Sequence, residues 1–166
     1  FALYDVAGLC AVDGGRKIVY SSSCVTDPST GQKSEAAKLF VYDTQKQELT
    51  GSFVPFADRR STGRILPGGG TTVIGWTGDL IYCADVAEQK VVRQAQLLGK
   101  LGGDFRLGPD GKVWCFIEKT LVRIDPTTFV IEAVGTVEPA GRIAFAGRSV
   151  LLSGTTEIRM IENVAP

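Results

Sequence analysis

Seven charged side chains have the type and placement to act on a ligand: Asp58, Arg59, Arg60, Arg64, Asp104, Arg106 and Arg142. A guanidinium is a planar fork of donors that matches a carboxylate or phosphate, so arginines gathered around one aspartate suit an anionic group. The same set suits acid catalysis poorly, because nearby positive charge keeps an aspartate ionised. Histidine is absent, which removes the commonest general base and metal ligand from this chain. No residues carry the spacing of a metal site, and no nucleophile stands beside a recognisable base, so the sequence implies neither a metal nor a cofactor. Cys10, Cys24, Cys83 and Cys115 are scattered without a C-x-x-C pair. They read as buried free thiols on strands, with a Cys10–Cys24 disulfide as the local alternative, and they leave the compartment open.

What positions these groups is a repeat. Gly8, Gly63, Gly103 and Gly141 precede Leu9, Arg64, Asp104 and Arg142, and an apolar run centred on Ile18, Val73, Val113 and Val150 follows each. A second run ends on Asp43, Asp85, Asp125 and, less regularly, Glu162. Gly63 to Asp85 and Gly103 to Asp125 both span 22 residues, whereas Gly8 to Asp43 spans 35, which marks an insertion of 13. In the third unit Asp104–Leu107 alternates as a half-buried strand, Gly108-Pro109-Asp110-Gly111 is turn chemistry, and Lys112–Ile117, Leu121–Ile124 and Phe129–Val134 complete four strands. Nothing keeps helical period over the ten or more residues that a helix requires.

All-β units of about 40 residues predict a β-propeller or partial propeller, with about four blades of four antiparallel strands. The blades fall near 8–54, 63–95, 103–134 and 141–161, in a single domain or the C-terminal portion of a larger propeller. Residues 1–6 read as a fourth strand of a neighbouring or closing blade, since the fourth unit stops one strand short. First strands line a propeller's channel, so Arg64, Asp104 and Arg142 should converge there, with Arg106 on the same face as Asp104. The competing reading is a structural network in which Asp104 pairs across blades. The 23–37 insertion and the 58–62 connection should share one face, with Asp58, Arg59 and Arg60 at the rim of the channel.

Other conspicuous residues have plainer explanations. Pro67-Gly68-Gly69-Gly70 lacks the G-x-x-x-x-G-K spacing of a phosphate loop and occupies the first turn of its unit. Asp43, Asp85 and Asp125 should cap outer hairpin turns. Trp76 and Trp114 belong on second strands, packed between blades, with sugar stacking as the alternative for them.

The stretches G-D-F-R-L-G-P-D-G-K-V-W and L-V-R-I-D-P-T-T-F resemble the blade motif of the NHL, YVTN and SMP-30-like propeller repeats. That resemblance implies a fold shared by interaction domains, extracellular binding modules, lactonases and lyases, so it carries little functional content. SMP-30-like lactonases hold a channel metal with acids and an asparagine, but Asn163 is the sole asparagine here, and no catalytic residue carries over.

Zero net charge disfavours nucleic acid, and no apolar stretch approaches the roughly 20 residues needed to span a bilayer. The favoured function is a soluble, non-enzymatic binding or scaffolding module taking an anionic small molecule or a protein partner on its channel-mouth face. The alternative is a hydrolase or lyase acting on an anionic sugar-like or lactone substrate at the channel. The missing blades of a larger propeller, or a second copy of the chain, are the expected structural partners.

Overall fold

The computed structural model describes residues 3–136, 141–153 and 158–162. The strand expected from Glu157 therefore begins outside the described residues, as do Phe1, Ala2 and Asn163. The chain forms two compact units, Phe1–Gln96 and Leu97–Pro166.

The first unit holds two antiparallel four-stranded sheets. One is β1 (Tyr4–Val12), β2 (Lys17–Cys24), β3 (Leu39–Asp43) and β4 (Glu48–Phe53); the other is β5 (Ile65–Gly69), β6 (Thr72–Thr77), β7 (Leu80–Asp85) and β8 (Lys90–Gln96). The second unit holds β9 (Leu101–Leu107), β10 (Val113–Ile117), β11 (Thr120–Ile124) and β12 (Ile131–Thr136) as one sheet. Its other sheet has three strands among the described residues: β13 (Arg142–Ala146), β14 (Ser149–Ser153) and β15 (Ile158–Ile161). Each sheet is an up-and-down meander in chain order, the pairing of a propeller blade. The one helical segment among the described residues is a 3-10 turn over Asp13–Gly15.

The alternation of Val, Ile, Leu and aromatic residues gives every blade two faces, and blades stack by burying one face on the next. In the first unit Cys10, Val12, Val19, Leu39 and Val41 pack against Ile65, Val73, Tyr82, Ala84 and Val86. In the second, Trp114, Phe116 and Leu121 pack against Ile143, Val150 and Leu152. Fully burying each such side chain is worth about 1.5–3 kcal/mol. Tyr82 fits because Gly75, its partner across β6 and β7, has no Cβ; a methyl there would fall on the Tyr82 ring. The Tyr82 hydroxyl donates to the carbonyl of Thr62 at 2.8 Å and so finds a partner inside the core.

The outer hairpins repeat one turn. Asp43 Oδ1 accepts from the N–H groups of Gln45 and Lys46, Asp85 Oδ1 from Ala87 and Glu88, and Asp125 Oδ1 from Thr127 and Thr128, all at 2.8–3.1 Å. The fifth residue of each turn, Gln47, Gln89 or Phe129, sits in the left-handed region at φ 56°, 52° and 60°. The aspartates are thus turn caps, as the sequence predicts, and the Thr128 and Thr127 N–H groups hold Asp125 below the usual carboxylate range.

Two expectations need correction. Tyr4–Val6 do not form a fourth strand of another blade. They extend β1, pairing Tyr4 with Cys24, Asp5 with Ser23 and Val6 with Ser22 across a register shift between Val6 and Gly8. That irregularity breaks the alternation and makes one strand read as two. The glycine alignment of the first blade is also one residue out. Leu9 pairs with Tyr20, two residues past Ile18, as Ile65 pairs with Gly75, Phe105 with Cys115 and Ile143 with Leu152. Leu9 therefore matches Ile65, Phe105 and Ile143, and Gly8 matches Arg64 and Arg142.

Candidate functional site

The 23–37 insertion builds its own small hairpin. Thr26 bridges Lys33, Asp27 Oδ1 accepts from Ser29 N at 2.8 Å and Thr30 N at 3.3 Å, and Gly31 takes φ 68°. Asp27-Pro28-Ser29-Thr30-Gly31 thus repeats the blade turn of Asp125-Pro126-Thr127-Thr128-Phe129. Glycine here supplies the left-handed conformation without a Cβ penalty.

Hydrogen bonds join the flanks of this hairpin, Ser22–Cys24 and Ala37, to the 58–62 connection beside them. Cys24 N donates to the Arg60 carbonyl at 2.7 Å, Ala37 N to the Arg59 carbonyl at 2.9 Å, and Thr62 N to the Ser22 carbonyl at 2.8 Å. Ser22 N donates to Thr62 Oγ1 at 2.8 Å, and the Ser23 and Ser61 hydroxyls meet at 2.8 Å. From the second blade, Thr77 Oγ1 donates to the Ser61 carbonyl at 2.6 Å. Backbone groups that would otherwise be unmet are satisfied, so the connection is held as firmly as a strand.

On this frame the predicted rim residues take different parts. The Arg59 guanidinium lies 3.7 Å from Asp58 and 3.4 Å from Asp79, whose other oxygen accepts from Gln96 Nε2 at 2.8 Å. Asp58 and Arg60 are exposed. Arg64 is exposed, with its guanidinium 5.7 Å above the ring of Trp76, a cation–π geometry. Trp76 is therefore half-buried beneath an arginine, whereas Trp114 lies wholly in the core and donates from Nε1 to Asp110 Oδ1 at 3.0 Å.

In the second unit Asp104, Arg106 and the start of β13 come together. Asp104, 6% exposed, accepts from Arg106 Nε at 2.8 Å and Ile143 N at 3.3 Å through Oδ2, and from Phe105 N at 3.1 Å through Oδ1. Burial pushes its carboxyl upward, but the Arg106 bond and the two backbone N–H groups outweigh that, and its pKa is lowered. Asp104 thus ties the first strand of one blade to the first strand of the next, which is the structural-network role. The Arg106 side chain is half-exposed, and Arg142 is exposed beside it in sequence to Ile143. Arg64 belongs to the first unit and these three residues to the second.

The cysteines are free thiols, with no Cys10–Cys24 bond. Burial raises Cys10 and Cys115 to about 12, leaving both protonated and unreactive. Among the described residues no three Cys, Asp or Glu side chains converge as metal ligands, and no helix is long and apolar enough to cross a membrane.

Sequence reasoning did not find the Ser22–Thr62 bonds, the Tyr82 tether or the Asp104–Ile143 link. The recurrence of Ser and Thr at 21–23 and 61–62 was the available signal for the first of these.

The strand order and blade stacking are those of a β-propeller, and comparison with solved structures bears this out. The chain is similar to the Dos1 propeller, with a TM-score of 0.67 over 93% of this chain and 40% of that one at 9% identity. It is similar to the hydrazine synthase of Kuenenia stuttgartiensis, at 0.62 over 95% and 46% with 10% identity. It is also similar to Hsv2 of Kluyveromyces lactis, at 0.58 over 96% and 46% with 9% identity. No family model matches the sequence, and no curated protein matches it. The chain spans half or less of the length of these structures, and at such identities the likeness carries the fold alone.

Proposed function

We propose that the protein is a non-enzymatic binding module whose recognition surface is the loop face of its first unit: the insertion hairpin, Asp58, Arg59, Arg60 and Arg64. The observation that carries this reading is that both ends of the insertion are tied down, Cys24 N to the Arg60 carbonyl and Ala37 N to the Arg59 carbonyl. A surface loop with no task tolerates looseness, whereas a recognition loop gains affinity from being ordered before binding. Arg60 and Arg64 give this face exposed guanidinium groups, so the ligand is an anionic small molecule or an acidic segment of a protein. In the second unit Arg106 and Arg142 offer further exposed guanidinium groups for an anion, while Asp104 serves the fold. Catalysis is disfavoured because Asp104, the most buried carboxylate of the set, is held ionised and has no proton to donate.

The test is amide chemical-shift mapping during titration with inorganic phosphate and with a short poly-glutamate peptide. Shifts gathered on residues 24–36 and 58–64 and lost in Arg60→Ala/Arg64→Ala support the proposal. Shifts spread evenly over the outer turns at Asp43, Asp85 and Asp125, or insensitive to the double substitution, refute it.

A further inference from the structure

The buried junction inside the first unit defines what a blade face needs as its complement. One side of that junction is Cys10, Val12, Val19, Leu39 and Val41, and the other is centred on Ile65, Val73 and Tyr82. Strand register maps both sides onto blades elsewhere in the chain. Ile65, Val73 and Tyr82 correspond in the first blade to Leu9, Ile18 and Phe40, through the pairs Leu9–Tyr20, Ile18–Tyr42 and Tyr20–Phe40. Cys10, Val19, Val41 and Leu39 correspond in the last sheet to Ala144, Leu151, Met160 and Ile158, through the pairs Ala144–Leu151, Leu151–Met160 and Ser153–Ile158.

Each of these mapped faces carries exposed apolar residues, although in the first blade Ile18 is half-buried and Phe40, against the Tyr4 ring, is 8% exposed. Leu9 is 60% exposed, although its equivalents Ile65, Phe105 and Ile143 are exposed by 4%, 3% and 2%. Ile158 and Met160 are 75% and 55% exposed, while Leu39 and Val41, which they match, are 0% and 3%. Exposed apolar groups in register on a sheet face mark an interaction surface. Each face here has its complement drawn in the chain's own buried junction. The similar solved structures are also about twice as long as this chain, so two copies supply the same amount of propeller.

We infer that two copies of this chain associate head to tail, the Ile158–Met160 face of each covering the Leu9 face of the other. The two junctions of such a pair are equivalent and heterologous.

The test uses the 166-residue chain in sedimentation equilibrium, with Leu9→Lys and Ile158→Lys as variants at exposed positions that the fold does not need. The wild type is expected at twice the 17.7 kDa monomer mass. Each variant should dimerise at least about tenfold more weakly, by the burial of a lysine ammonium in an apolar junction. Mixing the two variants should restore part of the dimer, because one junction of the mixed pair is intact. A wild-type monomer overturns the inference. So does a dimer indifferent to both substitutions, or polydisperse association without a discrete pair, the behaviour expected if blades of another chain are the natural cover.

Discussion

Replacing Asp104 by alanine separates a structural role from a binding one. The substitution removes both acceptors that Asp104 offers to backbone N–H groups, at Ile143 (3.3 Å) and Phe105 (3.1 Å), and the bond from Arg106 Nε. Ile143 is 2% exposed, so water cannot readily replace the lost acceptor, and an unmet buried donor costs about 1–3 kcal/mol. The Arg106 side chain is half-exposed, so its lost pairing adds no more than about 1 kcal/mol. The expected loss is therefore about 1–4 kcal/mol in urea unfolding, with Asp104→Asn losing roughly half as much because one acceptor survives. The pH dependence has a definite sign. The folded pKa lies below the unfolded value, so the contribution of Asp104 is fully present above about pH 4 and is lost as pH falls through the folded pKa. The gap between wild type and Asp104→Ala should thus narrow steadily below about pH 4. Equal stability at neutral pH, or a gap that does not close in acid, would refute the assignment of Asp104 to the fold.

Gly63→Ala should cost about 3 kcal/mol or more, because Gly63 takes φ 66° and an added Cβ would fall on the Trp76 carbonyl oxygen; loss of the cooperative thermal transition would show it. In the native state a soluble aromatic disulfide reagent should label Cys24, which is half-buried, well before Cys10 and Cys115, with all four thiols reacting once urea unfolds the chain.

The strands and turns were legible because their signals are local. Alternation over Leu80–Asp85 or Val113–Ile117 needs no knowledge of the rest of the chain, and an Asp at the mouth of a hairpin caps it within three residues. The adjacency of the insertion's flanks and the 58–62 connection followed from blade connectivity. What stayed hidden depended on distance. The register shift between Val6 and Gly8 breaks the alternation of β1, and no local pattern announces that. The partner of Asp104 is a backbone N–H 39 residues away, which no side-chain motif can encode. The uncovered state of Leu9 is invisible in sequence, where it looks the same as buried Ile65.

The Tyr82–Gly75 pair ties the proposed recognition rim to the interior in a way that bears on how this surface can change over time. The ring occupies the volume a side chain at 75 would fill, and its hydroxyl holds the backbone of Thr62, beside Arg60 and Arg64. Drift at either position therefore reaches the rim before it reaches the core: a larger residue at 75 evicts the ring, and a smaller one at 82 releases the Thr62 carbonyl. Positions 75 and 82 should consequently be inherited as one unit across relatives. If the rim binds as proposed, its arginines, resting on a backbone fixed from beneath, can be exchanged one at a time as the ligand changes.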